Sequence, residues 1–262
     1  MRIALGVQYD GTGFRGWQTQ SAGVRTVQAS LERALARVAN HSVGLTCAGR
    51  TDAGVHAIAQ VVHFDTQASR PVRAWVRGSN AHLPPDLSLS WACEVSEEFH
   101  ARFSARARRY RYLIYNHPQR SPLWHTRATW YYRPLDVARM YEASRVLIGE
   151  HDFSAFRAAE CQAHHPIRKI QELTIERRGD GVLLEIEANA FLHHMVRNIV
   201  GVLLAIGTGD RPVEWAMEVL KGRDRTRAGI TAPAEGLYLL AVRYPLQFGL
   251  PSVSASNPVF SE

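Results

Sequence analysis

An α+β protein built as two pseudo-duplicated βαββαβ halves is what the sequence predicts, on three observations. Stretches that alternate apolar and polar residues, as half-buried strands do, exchange with stretches of helical period in the same order twice along the chain. Glycine, proline and aspartate clusters punctuate those exchanges. With 262 residues, 46% of them apolar, there is ample material for two cores. The halves are expected over residues 1–104 and 105–245, followed by a loosely ordered Ser/Pro-rich tail over 246–262.

In the first half, residues 2–9 read as a strand running into a glycine turn. Residues 26–39 form an amphipathic helix with Val27, Leu31, Ala34, Leu35 and Val38 on one face and Thr26 as N-cap. Residues 43–47 and 57–64 read as strands, 71–80 as a helix opened by Pro71, and 87–95 as a strand. In the second half, a strand over 109–115 places Tyr110, Tyr112 and Ile114 on one face, with Arg109, Arg111 and Leu113 on the other. A helix follows at 136–148, then a hairpin, 169–177 with 181–188, about Arg178-Gly179-Asp180-Gly181. Helices to Ile206 and over 213–221 precede a closing strand at 237–244. Both halves have the element order of ferredoxin-like or RRM-like domains. Together they predict a mixed sheet with helices on one side and a basic cleft.

The formal net charge is +7, with 29 arginines against 2 lysines. Arginine grips phosphate with a planar fork and stacks on bases, which suits a nucleic-acid partner. A GC-rich coding sequence would give the same bias, so charge alone leaves both readings open. The three cysteines, Cys47, Cys93 and Cys161, are odd in number and widely spaced, so no disulfide framework is expected. The longest apolar run, 199–206, is far too short to span a membrane, and the N-terminal strand has no signal-peptide pattern. A soluble cytoplasmic protein is expected.

Two apparent cofactor motifs fail on context. Gly11-x-Gly13-x-x-Gly16 follows a strand, but the next helix begins only at Thr26 and no acidic residue ends the following strand, so no nucleotide cofactor is expected. Cys161, His164 and His165 cannot complete a zinc tetrahedron, so no metal is expected.

The chemistry centres on Gly49-Arg50-Thr51-Asp52-Ala53-Gly54-Val55-His56, a tight connection between two strands. Aspartate between glycines is common turn chemistry, in which the carboxylate caps backbone N–H groups. The same geometry also thrusts a carboxylate outward, where it can react. Residues 99–112 interleave five arginines with four aromatics. A reader of single-stranded or everted bases needs that combination, and a solvated basic strand would also show it. Arg197 lies near the apolar face of its helix. It either finds a buried partner or reaches the rim.

GRTDAGVHA closely resembles the signature of the TruA-type tRNA pseudouridine synthases, and the resemblance extends from residue 3 to about 245. It includes Tyr9-Asp10-Gly11 with Phe14, Gly16, Trp17 and Gln18, the run from His100 to Tyr112, and Phe191 to Gly201. It implies Asp52 as catalytic residue and Tyr110, Arg197 and Leu237 as substrate-binding residues, Arg197 pairing with the aspartate. It further implies Arg50 in base flipping, with Phe99, His100, Arg102, Phe103 and Arg106 binding tRNA. The activity implied is isomerisation of uridine at positions 38, 39 and 40 of the anticodon stem-loop, by a homodimer that grips one tRNA. The alternative is a non-catalytic RNA-binding protein that keeps the basic cleft. The loops at 116–130 and 157–166 look individual to this chain.

Overall fold

The computed structural model describes residues 1–161, 163 and 165–251. The fold is α+β with a mixed sheet, and the chain divides into two compact units. One unit is Met1–Arg106 joined by residues 239–251; the other is Ala107–Tyr238. Residues 239–245, expected with the second half, therefore belong with the first.

In the first unit the element order is β1 (Arg2–Tyr9), α1 (Val27–Ala39), β2 (Thr46–Cys47), β3 (His56–Asp65), α2 (Val72–Asn80) and β4 (Leu87–Val95). β1 runs antiparallel between β3 and β4, and β2 pairs with β3. Of the strand expected over 43–47, only the last two residues enter the ladder. Thr26 caps α1 by accepting the Ala29 N–H at 3.3 Å, and Asn40 ends the helix in the left-handed region, at φ 60°.

Both faces of β1 are covered. Ile3 is paired with Phe64, and the Phe64 ring meets Trp75 of α2 edge-on at 5.2 Å, so Ile3, Leu5 and Val7 face the helices. Ala4 and Val61 look the other way, into a cluster with Val95, Phe99 and Ala101. The C-terminal segment closes that cluster: Tyr244 and Phe248 lie 5.1 and 5.2 Å from the Phe99 ring, and the Tyr244 hydroxyl donates to Ala101 O at 2.6 Å. Residues 246–251, the first of the tail expected to be loose, are thus anchored by apolar burial. Residues 252–262 and His164 lie outside the described residues.

The second unit contains β5 (Ala107–Asn116), β6 (Thr129–Tyr131), α3 (Val137–Ser144), β7 (Gly149–Asp152), β8 (Ile167–Arg178), β9 (Gly181–Ala188), α4 (Met195–Gly207) and α5 (Trp215–Gly222). β10 (Leu237–Arg243) begins here and ends in the first unit. The strands run β5–β9–β8–β7 in antiparallel register, and β6 adds a parallel pair to β5. Tyr110, Tyr112, Leu184, Ile186, Leu173 and Ile175 form the buried face. The short β6 and β7 escape sequence reading because three or four residues carry too little alternation. No described helix is long and apolar enough to cross a membrane.

On the side of β3 facing Phe99, His63 is buried and its Nδ1 accepts the Ala101 N–H at 3.1 Å. Burial first, then the positive charges of Arg2 and His100, pushes the imidazole down to about 4, against a smaller opposing pull from Asp65. The unfolded chain takes up this proton near pH 6.5, the native chain only near pH 4. The contribution is therefore complete above pH 6.5 and is lost as pH falls towards 4. A pH series of thermal melts should show Tm declining across that window, and His63→Asn, whose Oδ1 takes the place of Nδ1 as acceptor, should flatten the decline. Equal slopes in the two proteins would contradict the assignment.

Candidate active site

Asp52 is half-buried at the tip of the connection between β2 and β3, between buried Thr51 and exposed Ala53. A second loop, the glycine turn after β1, fixes it there. The Tyr9 hydroxyl and Thr51 Oγ1 share a hydrogen bond of 2.8 Å. The Trp17 N–H donates to Thr51 O at 3.0 Å, and the Gly54 N–H to Phe14 O at 3.4 Å. Gly16, at φ +92°, passes so close that a Cβ there would lie 3.0 Å from Thr51 O and 3.3 Å from the Asp52 carbonyl carbon. The turn that resembled a dinucleotide fingerprint is thus a brace for the aspartate loop. Gly54 takes φ +80°, as the turn requires.

His56 orders this loop. It is buried, and its Nδ1 accepts the Gly11 N–H at 3.0 Å. The Asp10 carboxylate lies 3.2 Å from the same nitrogen, which can meet Gly11 only unprotonated and could bond Asp10 only protonated. Gln60 Nε2 donates to Gly49 O at 2.6 Å and secures the other end. Arg50 is exposed. Burial pushes the Cys47 thiol up to about 12, although the charges of Arg50 and Arg102 both pull it down. The Cys47 thiol is therefore held protonated, and both arginines act on it.

The basic segment divides sharply. Phe103 is 74% exposed, stacks on His100 at 4.3 Å and lies 5.5 Å from the Arg102 guanidinium. Half-buried His100 supports this tip, its Nδ1 accepting the Arg102 and Phe103 N–H groups at 3.2 Å each. Arg102 and Arg106 are exposed. Phe99 corrects the sequence reading: its ring is fully buried against Tyr244 and Phe248, so it supports the loop and cannot meet RNA. Arg108 is buried and donates to Asn189 O at 3.0 Å. Arg109 and Arg111 converge on Glu185, at 2.6 and 2.5 Å. Burial alone would raise the Glu185 carboxyl, but hydrogen bonds from Arg111 and Arg109 outweigh it and hold the group below the usual range.

In the second unit Tyr110 is buried on β5, its ring edge-on to Phe191 at 5.0 Å. Half-buried Arg197, on the first turn of α4, donates through Nε to Ala232 O at 2.7 Å, while the Ala232 N–H returns to Arg197 O at 3.1 Å. Leu237 is buried at the start of β10. The intervening segment is held on β5: the Leu113 N–H donates to Gly236 O at 2.8 Å, and the Tyr112 hydroxyl to Pro233 O at 2.8 Å.

Sequence reading missed Asn198, the residue after Arg197. It is fully buried and its amide donates to Phe156 O at 2.8 Å. Its Oδ1 accepts from Arg225 Nη2 at 3.0 Å and from the Thr231 hydroxyl at 2.7 Å. The same loop lies directly on α4, since a Cβ on Gly201 would fall inside the Ile230 carbonyl. The available signal was a polar residue on the apolar face of a helix, which must find partners. Thus Arg50, Asp52, His100, Arg102, Phe103 and Arg106 lie on the first unit, and Tyr110, Arg197 and Leu237 on the second.

A family model described as tRNA pseudouridine synthase matches residues 6–104 and 143–245. A tRNA pseudouridine synthase A of Pseudomonas aeruginosa is 57% identical over 250 residues, 95% of this chain and 88% of that protein. One from Alcanivorax borkumensis is 55% identical over 95% of this chain and 94% of its own length. One from Nitrosococcus oceani is 57% identical over 97% and 98%.

Replacing Asn198 with alanine leaves the Phe156 carbonyl, Arg225 and Thr231 without this partner. The Phe156 carbonyl is buried, and orphaning such a group costs roughly 1–3 kcal/mol, whereas half-buried Arg225 and Thr231 still bond each other at 2.9 Å. Thermal or urea unfolding of Asn198→Ala should show a loss of at least that size. An unchanged midpoint would mean that the network does not hold the 229–232 loop.

Proposed function

The chain belongs to the tRNA pseudouridine synthase family, and we propose that it isomerises uridines 38, 39 and 40 of the tRNA anticodon stem-loop with Asp52 as the catalytic carboxylate. The observation that supports this most is the braced loop: a single half-buried carboxylate, fixed on both sides by backbone bonds, beside an exposed arginine. The reaction breaks the bond from uracil N1 to the sugar C1′, turns the base and joins C5 to the same carbon. Atoms and electrons balance within the nucleoside. One carboxylate therefore suffices, as nucleophile on C1′, as nucleophile on uracil C6, or as base towards the sugar. All three routes use its ionised form. A glycosidase, by contrast, places a second carboxyl across the bond as acid.

The uridine must leave its stack to be reached, at a cost of a few kcal/mol. Exposed Arg50 is the residue we assign to the vacated space and its phosphate. Tyr110, Leu237 and Arg197 are assigned to the base and to the aspartate's surroundings. The exposed Phe103–Arg102 tip with His100, and Arg106, are assigned to the RNA strand, as a ring beside a cation suits a base and its phosphate. We further propose that the two units are diverged copies of one βαββαβ ancestor, and that a cytoplasmic homodimer grips each tRNA.

Incubation with an unmodified tRNA transcript, followed by position-resolved nucleoside analysis, tests the activity. Wild-type protein is expected to place pseudouridine at 38–40. Asp52→Ala should abolish it while keeping tRNA affinity within roughly tenfold, about 1.4 kcal/mol. Pseudouridine formed by the folded alanine variant would remove Asp52 from the chemistry.

A further inference from the structure

Away from the Asp52 loop, the first unit carries a groove of about 850 Å³ between the 19–25 loop, the outer face of α1 and residues 81–84. Its charge is one-sided. Arg33 and Arg37 stand one turn apart on α1, both exposed, with exposed His82 among the lining residues and no aspartate or glutamate. The acid of α1 is turned elsewhere: the Glu32 carboxylate accepts from Gln28 Nε2 at 2.8 Å and from the Leu45 N–H at 3.0 Å. The nearby Asp86 is taken by Arg25 at 2.6 Å. Neither the Arg33 nor the Arg37 guanidinium has a hydrogen-bond or ion-pair partner among the described residues.

Like charges four apart destabilise a helix, whereas an acid at that spacing would stabilise it. The helix dipole favours Arg37 in the last turn of α1, but no acid lines the groove beside the pair, and an anion from outside would offset their repulsion. The opposite wall suits close approach by a phosphate, because Thr19, Ser21 and Gly23 are small and exposed, and no atom lies within 4 Å of where a Gly23 Cβ would stand.

The groove is also tied to the catalytic loop. The Arg25 guanidinium stacks on Phe14 at 4.0 Å and donates to Gly13 O at 3.2 Å, and the Arg15 N–H donates to Arg25 O at 2.9 Å. The residues that end the groove are therefore bonded to the turn that braces Asp52.

We propose that this groove is a second RNA-backbone site, in which Arg33 and Arg37 hold phosphodiesters of the tRNA away from the reacting uridine. It rests on tRNA being the substrate. Its contribution is to binding: it anchors a flanking strand and leaves the chemical step to Asp52.

The test uses full-length protein and a full-length tRNA transcript. In the Arg33→Gln/Arg37→Gln variant, glutamine keeps helix propensity, and melting by circular dichroism checks that the fold is retained. The expected result is a Kd and a KM for tRNA about tenfold higher, with kcat held. The slope of log Kd against log salt should be shallower by about two, one for each lost phosphate contact. The Arg33→Lys/Arg37→Lys variant should restore most of the affinity. Wild-type affinity and slope in the folded glutamine variant would overturn the proposal, as would a fall in kcat with Kd unchanged. Failure of wild-type protein to isomerise uridine would instead strike the functional reading, while the salt slopes still decide the groove.

Discussion

Asp52 is placed because two loops hold each other. The turn after β1 meets the loop before β3 through the Tyr9–Thr51 hydroxyl pair, the Trp17 and Gly54 N–H groups, and the Gly11–His56 bond. Each such bond contributes about 1 kcal/mol net, whereas fixing one residue of backbone costs about 1–2 kcal/mol. Four bonds therefore cannot order two loops unaided. Full burial of Tyr9, Phe14, Trp17 and Val55 beneath them supplies the rest. The arrangement makes the carboxylate's position a property of the core, as the proposed catalytic role requires, since a displacement of about 1 Å in a reacting group can cost a hundredfold in rate.

The arginine excess resolves into two populations. Arg2, Arg108, Arg109 and Arg111 are joints that bind carboxylates or backbone carbonyls across long sequence separations, and Arg225 reaches the Asn198 amide oxygen on α4. Replacing them would disturb folding before it disturbed RNA. Arg33, Arg37, Arg50, Arg102 and Arg106 point outward and supply the charge that a polyanion can meet. Net charge counts both populations alike, so it overstates the binding surface.

Much of the fold could be read from the sequence because local and tertiary preferences agree. The face of α1, the Thr26 cap, the Gly179 turn and the alternation along β5 all follow from periodicity and turn chemistry. The failures share a physical cause, which is that partners distant in sequence decide the outcome. Phe99 lies in a basic, aromatic-rich run, yet Tyr244 and Phe248 claim its ring. The residues after 238 return to the first unit because their apolar side chains complete its second layer. At the candidate site the motif located Asp52, but periodicity could not show that Tyr9, Gly16 and Asn198 are the supports on which the named residues rest.

The brace is tested most directly by a double-mutant cycle on Tyr9→Phe and Thr51→Val, with kcat measured on tRNA at saturation. If the hydroxyl pair fixes the carboxylate, each single change should lower kcat severalfold or more, and the double variant should be no slower than the worse single one. Wild-type kcat in all three folded variants, or losses that simply multiply, would contradict it.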